Sequence, residues 1–507
     1  MADVHISPCS GTWYPENAAD LDALLEERFE ESRRRTGPHL FPGALGFVVP
    51  HAGPAWSGTV AAAVYRSLRR QQPERIVVLA FPHHGGLSGV AAPDVGAIAT
   101  PFGEVTIHRD WCAAFPRLAE ERVCDHSFEI QLPFLQKAVP QARLTALYVG
   151  RMDASARAEA ADQLAAAWSP GTVFVASSDF THYGRGFGHV PFAADAAVAS
   201  RLYELDHEYI DAAGSLDSAL FLDTLAEHDA TVCGSAPMAL LLDVLRRIPG
   251  EGVYQFTLDY QTSGDRTQDY SHSVSYAALG YFPRCAFDLN HADCETLLDV
   301  AHDTLRHLRQ TGERRAASVL SREKDENERK SADGGVRPTL AGSGVVKNAA
   351  GQDTTGYQGT AALTALRGAF VSLHHGGELL GCVGNCRGRL PLAEEIAELT
   401  LGAALKDPRF RPATAVAGPI DIELSILTPF RRIRNVEEFR IGRHGALLRM
   451  GRRSGLLLPQ VAESQHWTPE EFWRGLARKS QLGPHAWRDP KARLEIFEAQ
   501  VFARDGD

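Results

Sequence analysis

The chain has 507 residues and is 44% hydrophobic, which is ordinary for a globular protein but too long for one core, so two or three domains are expected. Its formal net charge of −11 argues against a nucleic-acid or anionic membrane surface as the main partner. The sequence shows no apolar run of the ~20 residues that a membrane helix needs and no secretory signal pattern at the N-terminus.

The first 283 residues alternate predicted strands and helices. The predicted helices lie at 17–35, 58–70, 127–139, 153–168, 193–205, 217–228 and 237–248, and the predicted strands at 46–49, 75–80, 143–150, 172–176 and 270–282. This alternation is typical of βαβ units and predicts an α/β fold with a mostly parallel, doubly covered sheet. Residues 1–283 are therefore predicted to form the first domain.

Composition changes after residue 290, and residues 284–507 are predicted to form a second domain of the α+β class. A predicted helix at 294–308 is followed by a polar, highly charged tract at about 321–359, which we expect to be a mobile loop. The predicted strands lie at 366–373, 420–427, 445–450 and 454–458. Thr468 and Pro469 are expected to open a helix that ends near residue 480.

Three predicted strands of the first domain end in loops that contain histidine. His51 follows the first strand, His83 and His84 follow the second, and Asp179 and His182 follow the strand at 172–176. Because ligands of open α/β sheets bind beyond the carboxyl ends of the strands, these loops predict one shared, histidine-rich pocket.

A metal site is one interpretation of this pocket. His51 and His83 could each present a neutral imidazole to one ion, and Cys233 is the best third ligand because it precedes a predicted helix N-terminus, which favours a thiolate. Two histidines and one anionic ligand with open positions are typical of catalytic sites. The alternative is that these histidines are hydrogen-bonded loop residues.

Two further pairs of residues could carry proton chemistry. Asp179 beside His182 could fix the tautomer of a general base, although an aspartate here could equally cap a helix or form a turn. His126 and Glu129 are spaced to share a helix face, while Asp125 or Ser127 could simply open that helix.

The eight cysteines include no CxxC pair, which is typical of reduced usage and predicts a cytoplasmic protein. Cys382 and Cys386 are four residues apart among glycines. This spacing is a poor zinc signal, so buried cysteine is the first interpretation and a small pocket the second.

Residues 1–283 resemble the Memo family through segments in family order at 10–15, 50–53, 82–84, 126–133, 177–184, 232–234 and 273–278. The resemblance implies a fold similar to the catalytic subunit of class III extradiol dioxygenases, which use non-haem Fe(II). It also implies that His51, His83 and Cys233 form the metal site, with Asp179 and His182 beside them. The residues expected to line the pocket or to support the ligands in this domain are Trp13, Tyr14, His84, His126 and Glu129. In the second domain, Cys382 and its adjacent glycines suggest a separate small-molecule pocket.

The second domain resembles an AMMECR-type domain through segments at 366–371, 381–384, 421–427, 455–462 and 467–482. Proteins similar to the two domains occur beside a radical-SAM protein in bacteria and archaea, so the resemblance implies that both domains act in one pathway with such a partner.

Three functions follow as hypotheses. The first is a metal-dependent, dioxygenase-like oxidoreductase acting on a small phenolic or enediol substrate, with Fe(II) favoured and with Asp179 and His182 as the catalytic pair. The second is a non-catalytic Cu- or Fe-binding or partner-binding redox module. The third is a zinc hydrolase. The oligomeric state stays open.

Overall fold

The structure, a computed structural model, describes residues 4–37, 41–84, 86–109, 114–118, 125–250, 252–312 and 361–506. The predicted mobile tract lies outside these residues. The chain divides into an N-terminal unit, which contains Phe41–Ala286 and the residues up to Thr36, and a C-terminal unit, which begins at Phe287. None of the helices in the described ranges is both long and apolar enough to cross a membrane.

The N-terminal unit alternates strands and helices along the chain. Its strands are β1 (Val4–Ile6), β2 (Gly46–Val49), β3 (Arg75–Ala80), β4 (Val90–Ala91), β5 (Ala97–Thr100), β6 (Gly103–Thr106), β7 (Arg143–Val149), β8 (Thr172–Ser177), β9 (His182–Gly184), β10 (Val253–Thr262) and β11 (His272–Pro283). Its helices are α1 (Ala18–Thr36), α2 (Pro54–Gln71), α3 (His126–Glu129), α4 (Gln131–Ala138), α5 (Ala154–Ala166), α6 (Val198–Ala213), α7 (Ser218–Glu227), α8 (Ser235–Leu245) and α9 (Ser263–Thr267).

The main sheet of this unit is parallel at its centre and antiparallel at its margins. Strands β2, β8, β3 and β7 run parallel in that order, whereas β4 pairs with β7, and β2, β9 and β10 pair with β11, all antiparallel. The predicted α/β class is confirmed, but the mostly parallel arrangement holds only for the central strands. Only residues 263–271 connect β10 to β11, which is too short for the crossover that a parallel pair requires.

Helices cover both faces of this sheet. Val77, Leu79 and Phe174 share one apolar core with residues of α5 to α8. Val78 and Val175 are equally buried and point to the opposite face, because successive strand side chains alternate. Helix α2 packs against β2, β10 and β11 and is itself contacted by α1 and α4. The predicted double cover is confirmed.

The helices next to the carboxyl ends of the strands begin with clear local signals. Asp125 caps α3 by accepting a hydrogen bond from the Ser127 backbone N at 2.9 Å. The predicted helix at 127–139 is divided at Ile130, so that Pro133 lies in the first turn of α4, where a missing N–H costs nothing. Asp153 caps α5, at the start of the helix predicted for 153–168.

The C-terminal unit is an α+β structure, as predicted, with two antiparallel sheets. Its strands are β12 (Ala369–His375), β13 (Glu378–Asn385), β14 (Asp421–Leu427), β15 (Arg431–Ile433), β16 (Gly445–Met450), β17 (Arg453–Leu457), β18 (Arg493–Phe497) and β19 (Ala499–Arg504). Its helices are α10 (His291–Thr311), α11 (Ala361–Thr364), α12 (Leu392–Leu405), α13 (Pro459–Ser464) and α14 (Pro469–Lys479). The sheets have the orders β13-β12-β14-β19 and β15-β18-β16-β17.

Candidate metal centre

His51, His83 and Cys233 come together at the carboxyl edge of the main sheet. One ligand atom from each lies within 4.8 Å of the others, so the three could hold one metal ion. Cys233 Sγ is 3.1 Å from His51 Nε2, and the rings of His51 and His83 are nearly perpendicular with centroids 5.1 Å apart. Residues from three distant parts of the sequence therefore meet at one point.

A hydroxyl group at the end of β8 fixes the tautomer of His51. Ser177 donates its only hydroxyl proton to the Ser127 carbonyl oxygen at 2.5 Å, so Ser177 Oγ must accept from His51 Nδ1 at 2.9 Å. Gln131 Nε2 also donates to this oxygen. The proton of neutral His51 is thus on Nδ1, and the lone pair of Nε2 points to Cys233.

Asp125 fixes His83 in the same way. One carboxylate oxygen accepts from His83 Nδ1 and the other from the His83 backbone N, both at 2.8 Å. Burial alone would raise the pKa of Asp125, but the hydrogen bonds from His83 and from the Ser127 backbone N outweigh burial and lower it. Asp125 is therefore an anion that directs the Nε2 lone pair of His83 away from itself.

Cys233 lies where the sequence predicted, immediately before the N-terminus of α8. Gly234 is the N-cap, and a Cβ at this position would be 2.3 Å from the Ser177 carbonyl oxygen, so only glycine lets the loop approach β8 this closely. The predicted stabilisation of a thiolate by the helix is overridden. Burial and then the charge of Asp179 raise the pKa of Cys233 above its usual range.

The donor set fits a metal ion. Burial and the neighbouring imidazoles of His83 and His126 lower the pKa of His51, so its ring is neutral and its Nε2 is free to coordinate. The protonated Cys233 thiol becomes an anionic ligand only when a cation compensates for its burial. These are the two conditions that a site with two histidines and one thiolate requires.

His83, Asp125 and His126 form a second group with metal-ligand geometry. The Asp125 carboxylate is already occupied by hydrogen bonds from His83, and His126 Nδ1 is 3.4 Å from it. Burial, opposed by Asp125, lowers the pKa of His126 to about 4. We therefore interpret this group as support for His83 rather than as a second ion site.

Asp179 and His182 are neighbours, but they do not form the predicted carboxylate–imidazole hydrogen bond. Asp179 Oδ1 accepts from the backbone N of His51 at 2.8 Å and of Ala52 at 3.4 Å. His182 Nδ1 lies 3.0 Å from the carbonyl oxygens of both Phe180 and Thr231. Because carbonyl oxygens only accept, Nδ1 carries the proton and Nε2 is the basic atom of neutral His182. The backbone, not Asp179, orients this ring.

The other candidate pocket residues are divided between the site and its surroundings. Trp13, 42% exposed, stacks on His126 at 4.4 Å, and His126 stacks on His83 at 4.1 Å, so these rings adjoin the metal candidates. His84 directly follows His83 in the loop after β3 and is exposed.

Two expected pocket residues contact other side chains of the N-terminal unit, and a third belongs to the C-terminal unit. Tyr14 is buried and donates to Ser7 Oγ. Glu129 is buried with no hydrogen bond to the described residues and lies 3.5 Å from His5 Nε2. Cys382 belongs to β13 of the C-terminal unit.

The sequence interpretation assigned no supporting role to Asp125 or Ser177. Asp125 was interpreted as a helix cap, and it does cap α3 through Oδ1. The same Oδ1 also accepts from the His83 ring, and Oδ2 accepts from the His83 backbone N. Ser177 is the last residue of β8, one strand away from His51. A polar residue at the end of a buried strand, next to a strand that ends in histidine, is the signal that could have identified it.

Replacing Asp125 by Asn should weaken metal binding about 10- to 100-fold, as the loss of a hydrogen-bonding support for a ligand typically does. The amide can still cap α3, but it cannot hold His83 by charge. Asp153→Asn is the matched control, because Asp153 caps α5 and touches no metal candidate. Competition with a chromophoric chelator measures both affinities, and equal losses in the two variants would contradict the assigned role.

Metal affinity should rise with pH by about tenfold per unit between pH 6 and 8, because one proton leaves Cys233 for each ion bound. The sign follows from the raised pKa of the thiol, since the protonated form dominates over this whole range. His51 adds no slope because its pKa is lowered. Chelator titrations at several pH values measure the slope, and a flat profile would show that the thiol is not a ligand.

The comparisons with known proteins agree with the two units. A model described as Memo-like protein matches residues 7–280, and a model described as AMMECR1 matches residues 339–502. The MEMO1 family protein MK0963 of Methanopyrus kandleri is 30% identical over 290 residues, covering 53% of this chain and 96% of that protein. The memo-1 homolog of Caenorhabditis elegans is 28% identical over 290 residues, covering 53% of this chain and 80% of that protein.

Two further matches cover smaller shares of the chain. Protein MK0488 of Methanopyrus kandleri is 40% identical over 156 residues, covering 29% of this chain and 75% of that protein. Among solved structures, the uncharacterized protein PH0010 of Pyrococcus horikoshii is 24% identical with a TM-score of 0.31, and the match covers 41% of this chain and 90% of the PH0010 chain.

Proposed function

Because this chain belongs to the Memo family over residues 7–280 and carries an AMMECR1 segment at residues 339–502, we propose that it is a metal-dependent oxidoreductase. The observation that carries the proposal is the convergence of His51, His83 and Cys233, with both imidazoles held in the tautomer that coordinates through Nε2. We place the reaction in the class of the extradiol dioxygenases, which the Memo fold resembles, and the substrate among small phenols or enediols.

Fe(II) is the favoured metal, since two imidazoles and one anion leave coordination positions open, as in non-haem iron oxygenases. When bound, it would supply the redox chemistry that reactions of O₂ require. Cu and Zn are the alternatives because a thiolate is a softer ligand than a carboxylate.

The chain's own residues would bind the substrate and move its proton. His182, with Nδ1–H fixed on two carbonyl oxygens, would accept a hydroxyl proton at Nε2. One face of the Trp13 ring stacks on His126, and the exposed part of this side chain offers a planar surface for an aromatic ring. Asp179 would act indirectly by holding the backbone of His51.

Anaerobically purified protein should contain about one iron per chain and consume O₂ with a member of a catechol panel. His182→Gln should retain the metal and lower kcat about 10²- to 10⁴-fold, the range for loss of a general base. Plasma mass spectrometry and an oxygen electrode give the two readouts. Metal-free wild-type protein, or equal turnover by the variant, would refute the assignment.

The second candidate function is a non-catalytic redox module that binds Cu, Fe or a partner. The presence of a cysteine, Cys233, among the candidate ligands favours it. A thiol at the centre of an O₂-using site is itself open to oxidation, which suits a redox-responsive metal store better than a durable catalyst. This alternative gives stoichiometric iron or copper without O₂ uptake for any phenol in the panel. Action in one pathway with a radical-SAM partner is a further proposal for the fused chain, testable by co-purification under anaerobic conditions.

A further inference from the structure

Gln131, the first residue of α4, carries a buried amide whose nitrogen and oxygen atoms both have partners. Its Nε2 donates to the Pro50 carbonyl oxygen at 3.1 Å and to Ser177 Oγ at 3.2 Å. Its Oε1 accepts from the hydroxyl group of Tyr65. An amide nitrogen has two protons to donate, so these bonds use both of them. The three contacts therefore fix the place of this side chain.

The same contacts allow only one orientation of the Gln131 amide. The Pro50 carbonyl oxygen can only accept, so the amide nitrogen must face it and the amide oxygen must face Tyr65. Tyr65 is consequently the donor in its pair with Gln131. A reversed amide would bring its oxygen to the Pro50 carbonyl oxygen with no proton between the two atoms.

Packing holds Tyr65 in the position from which it donates. Tyr65 lies within α2 and is fully buried, and its ring stacks on Phe134 of α4 with centroids 4.8 Å apart. Phe134 follows Gln131 by three residues, so the ring and the hydroxyl group of Tyr65 both contact one face of α4. The hydroxyl group is thus fixed relative to the amide that it orients.

Gln131 connects to the metal candidate His51 by two routes. The Ser177 oxygen that accepts from Gln131 also accepts from His51 Nδ1. Pro50, whose carbonyl oxygen accepts the other amide proton, directly precedes His51 in the chain. Burying an amide costs free energy that burying an apolar side chain would not. At this position the amide supports both the ring and the backbone of one ligand.

The donor from Gln131 keeps the Ser177 hydroxyl group in the orientation that fixes the His51 tautomer. Ser177 Oγ has two lone pairs, which the donors from Gln131 and His51 occupy. Its proton goes to the Ser127 carbonyl oxygen. Without Gln131 the hydroxyl group would be free to rotate and to donate to His51 Nδ1. The Nε2 atom of His51 would then carry a proton toward Cys233 instead of a lone pair.

We propose that Gln131, oriented by Tyr65, is a positioning residue of the candidate metal centre. It acts through Ser177 and keeps the Nε2 lone pair of His51 available to the ion. The inference rests on the proposed metal function, but the tautomer of His51 is a property that metal-free protein can test by itself.

The tautomer of His51 is the direct readout of this role. With both ring nitrogens of histidine labelled, long-range proton–nitrogen correlation spectra of the metal-free, full-length chain should contain an Nδ1-protonated ring whose signals disappear in His51→Ala. In Gln131→Met the two nitrogen signals of this ring should move toward each other, because the tautomers exchange. Tyr281→Phe is the matched control and should change nothing, since it removes a buried tyrosine hydroxyl group that has no hydrogen bond within the described ranges.

Affinity for Co(II), used as a spectroscopic probe ion, is the second readout. Gln131→Met should weaken Co(II) binding about tenfold or more. Tyr65→Phe should weaken it less, because the Pro50 carbonyl oxygen still orients the amide. The double variant Tyr65→Phe/Gln131→Met should bind as weakly as Gln131→Met alone, since the tyrosine acts only through the amide. Competition with a chromophoric chelator gives the affinities, and circular dichroism verifies that each variant is folded.

The two readouts separate this proposal from the proposed function. Unchanged His51 signals in Gln131→Met, a wild-type ring protonated at Nε2, or additive losses in the double variant would overturn the role of Gln131. If Gln131→Met fails to fold, Tyr65→Phe replaces it in the NMR comparison, with a smaller shift in the same direction. A wild type that binds no metal would refute the proposed function, and the NMR comparison would still decide the role of Gln131.

Discussion

Cys233→Ser should abolish stoichiometric metal binding while the protein stays folded. A neutral hydroxyl replaces the only anionic ligand of the candidate site, so we expect a larger loss of affinity than the about 10- to 100-fold that removal of a supporting hydrogen bond costs. The site also loses the contact of Sγ with His51 Nε2 at 3.1 Å. Plasma mass spectrometry after anaerobic purification gives the metal content.

Cys294→Ser is the matched control for this experiment, since Cys294 is a buried free cysteine of α10 in the C-terminal unit. It should retain the metal. If Cys233→Ser retained as much metal as Cys294→Ser, the ion would have other ligands, and the site would have to be reassigned to the group around Asp125 and His126.

Arg35→Met should destabilise the N-terminal unit by about 3 kcal/mol, the lower end of the range for breaking a buried ion pair. Arg35 holds Asp259 through two hydrogen bonds, of 2.8 and 3.1 Å, and Asp259 is fully buried. Without Arg35 the carboxylate stays buried and loses its hydrogen-bonded cation. Urea unfolding followed by circular dichroism measures the change in free energy.

Two controls separate the burial of charge from general damage in this experiment. Arg33→Met removes an exposed partner of Glu30 and should have little measurable effect. The double variant Arg35→Met/Asp259→Leu should recover much of the loss, because it removes the stranded charge. A double variant as unstable as Arg35→Met alone would contradict this explanation.

Local sequence signals predicted much of the fold because their causes are local. The helix that Thr468 and Pro469 were expected to open is present, with a capping box formed by Thr468 and Glu471, and the predicted helix at 153–168 begins with an Asp153 cap. The strand ends that carry His51 and His83 were also recognisable, since an apolar run stopped by proline has a local signature.

Contacts across the sheet were less predictable. β10 was not predicted, because its buried and exposed residues alternate only in part. Asp179 stands close to His182 in sequence, yet it bonds to the backbone of His51, 128 residues away. Neighbouring strands decide such partners, and the spacing of residues in one loop does not encode them.

The end of β8 connects two of the three metal candidates before any ion is present. Ser177 bonds the His51 ring, Asp179 bonds the His51 backbone N, and the Asp179 backbone N donates to Cys233 Sγ at 3.2 Å. A bound ion would add His83 and thereby act as a cross-link between three loops. At a free metal concentration of 1,000 times Kd such a cross-link adds about 4 kcal/mol to the free energy of unfolding. Calorimetry of the loaded chain should then show the transition of the N-terminal unit at a higher temperature and that of the C-terminal unit unchanged. Because the same cross-link holds the loop before α8, the metal should also protect this loop from proteolysis.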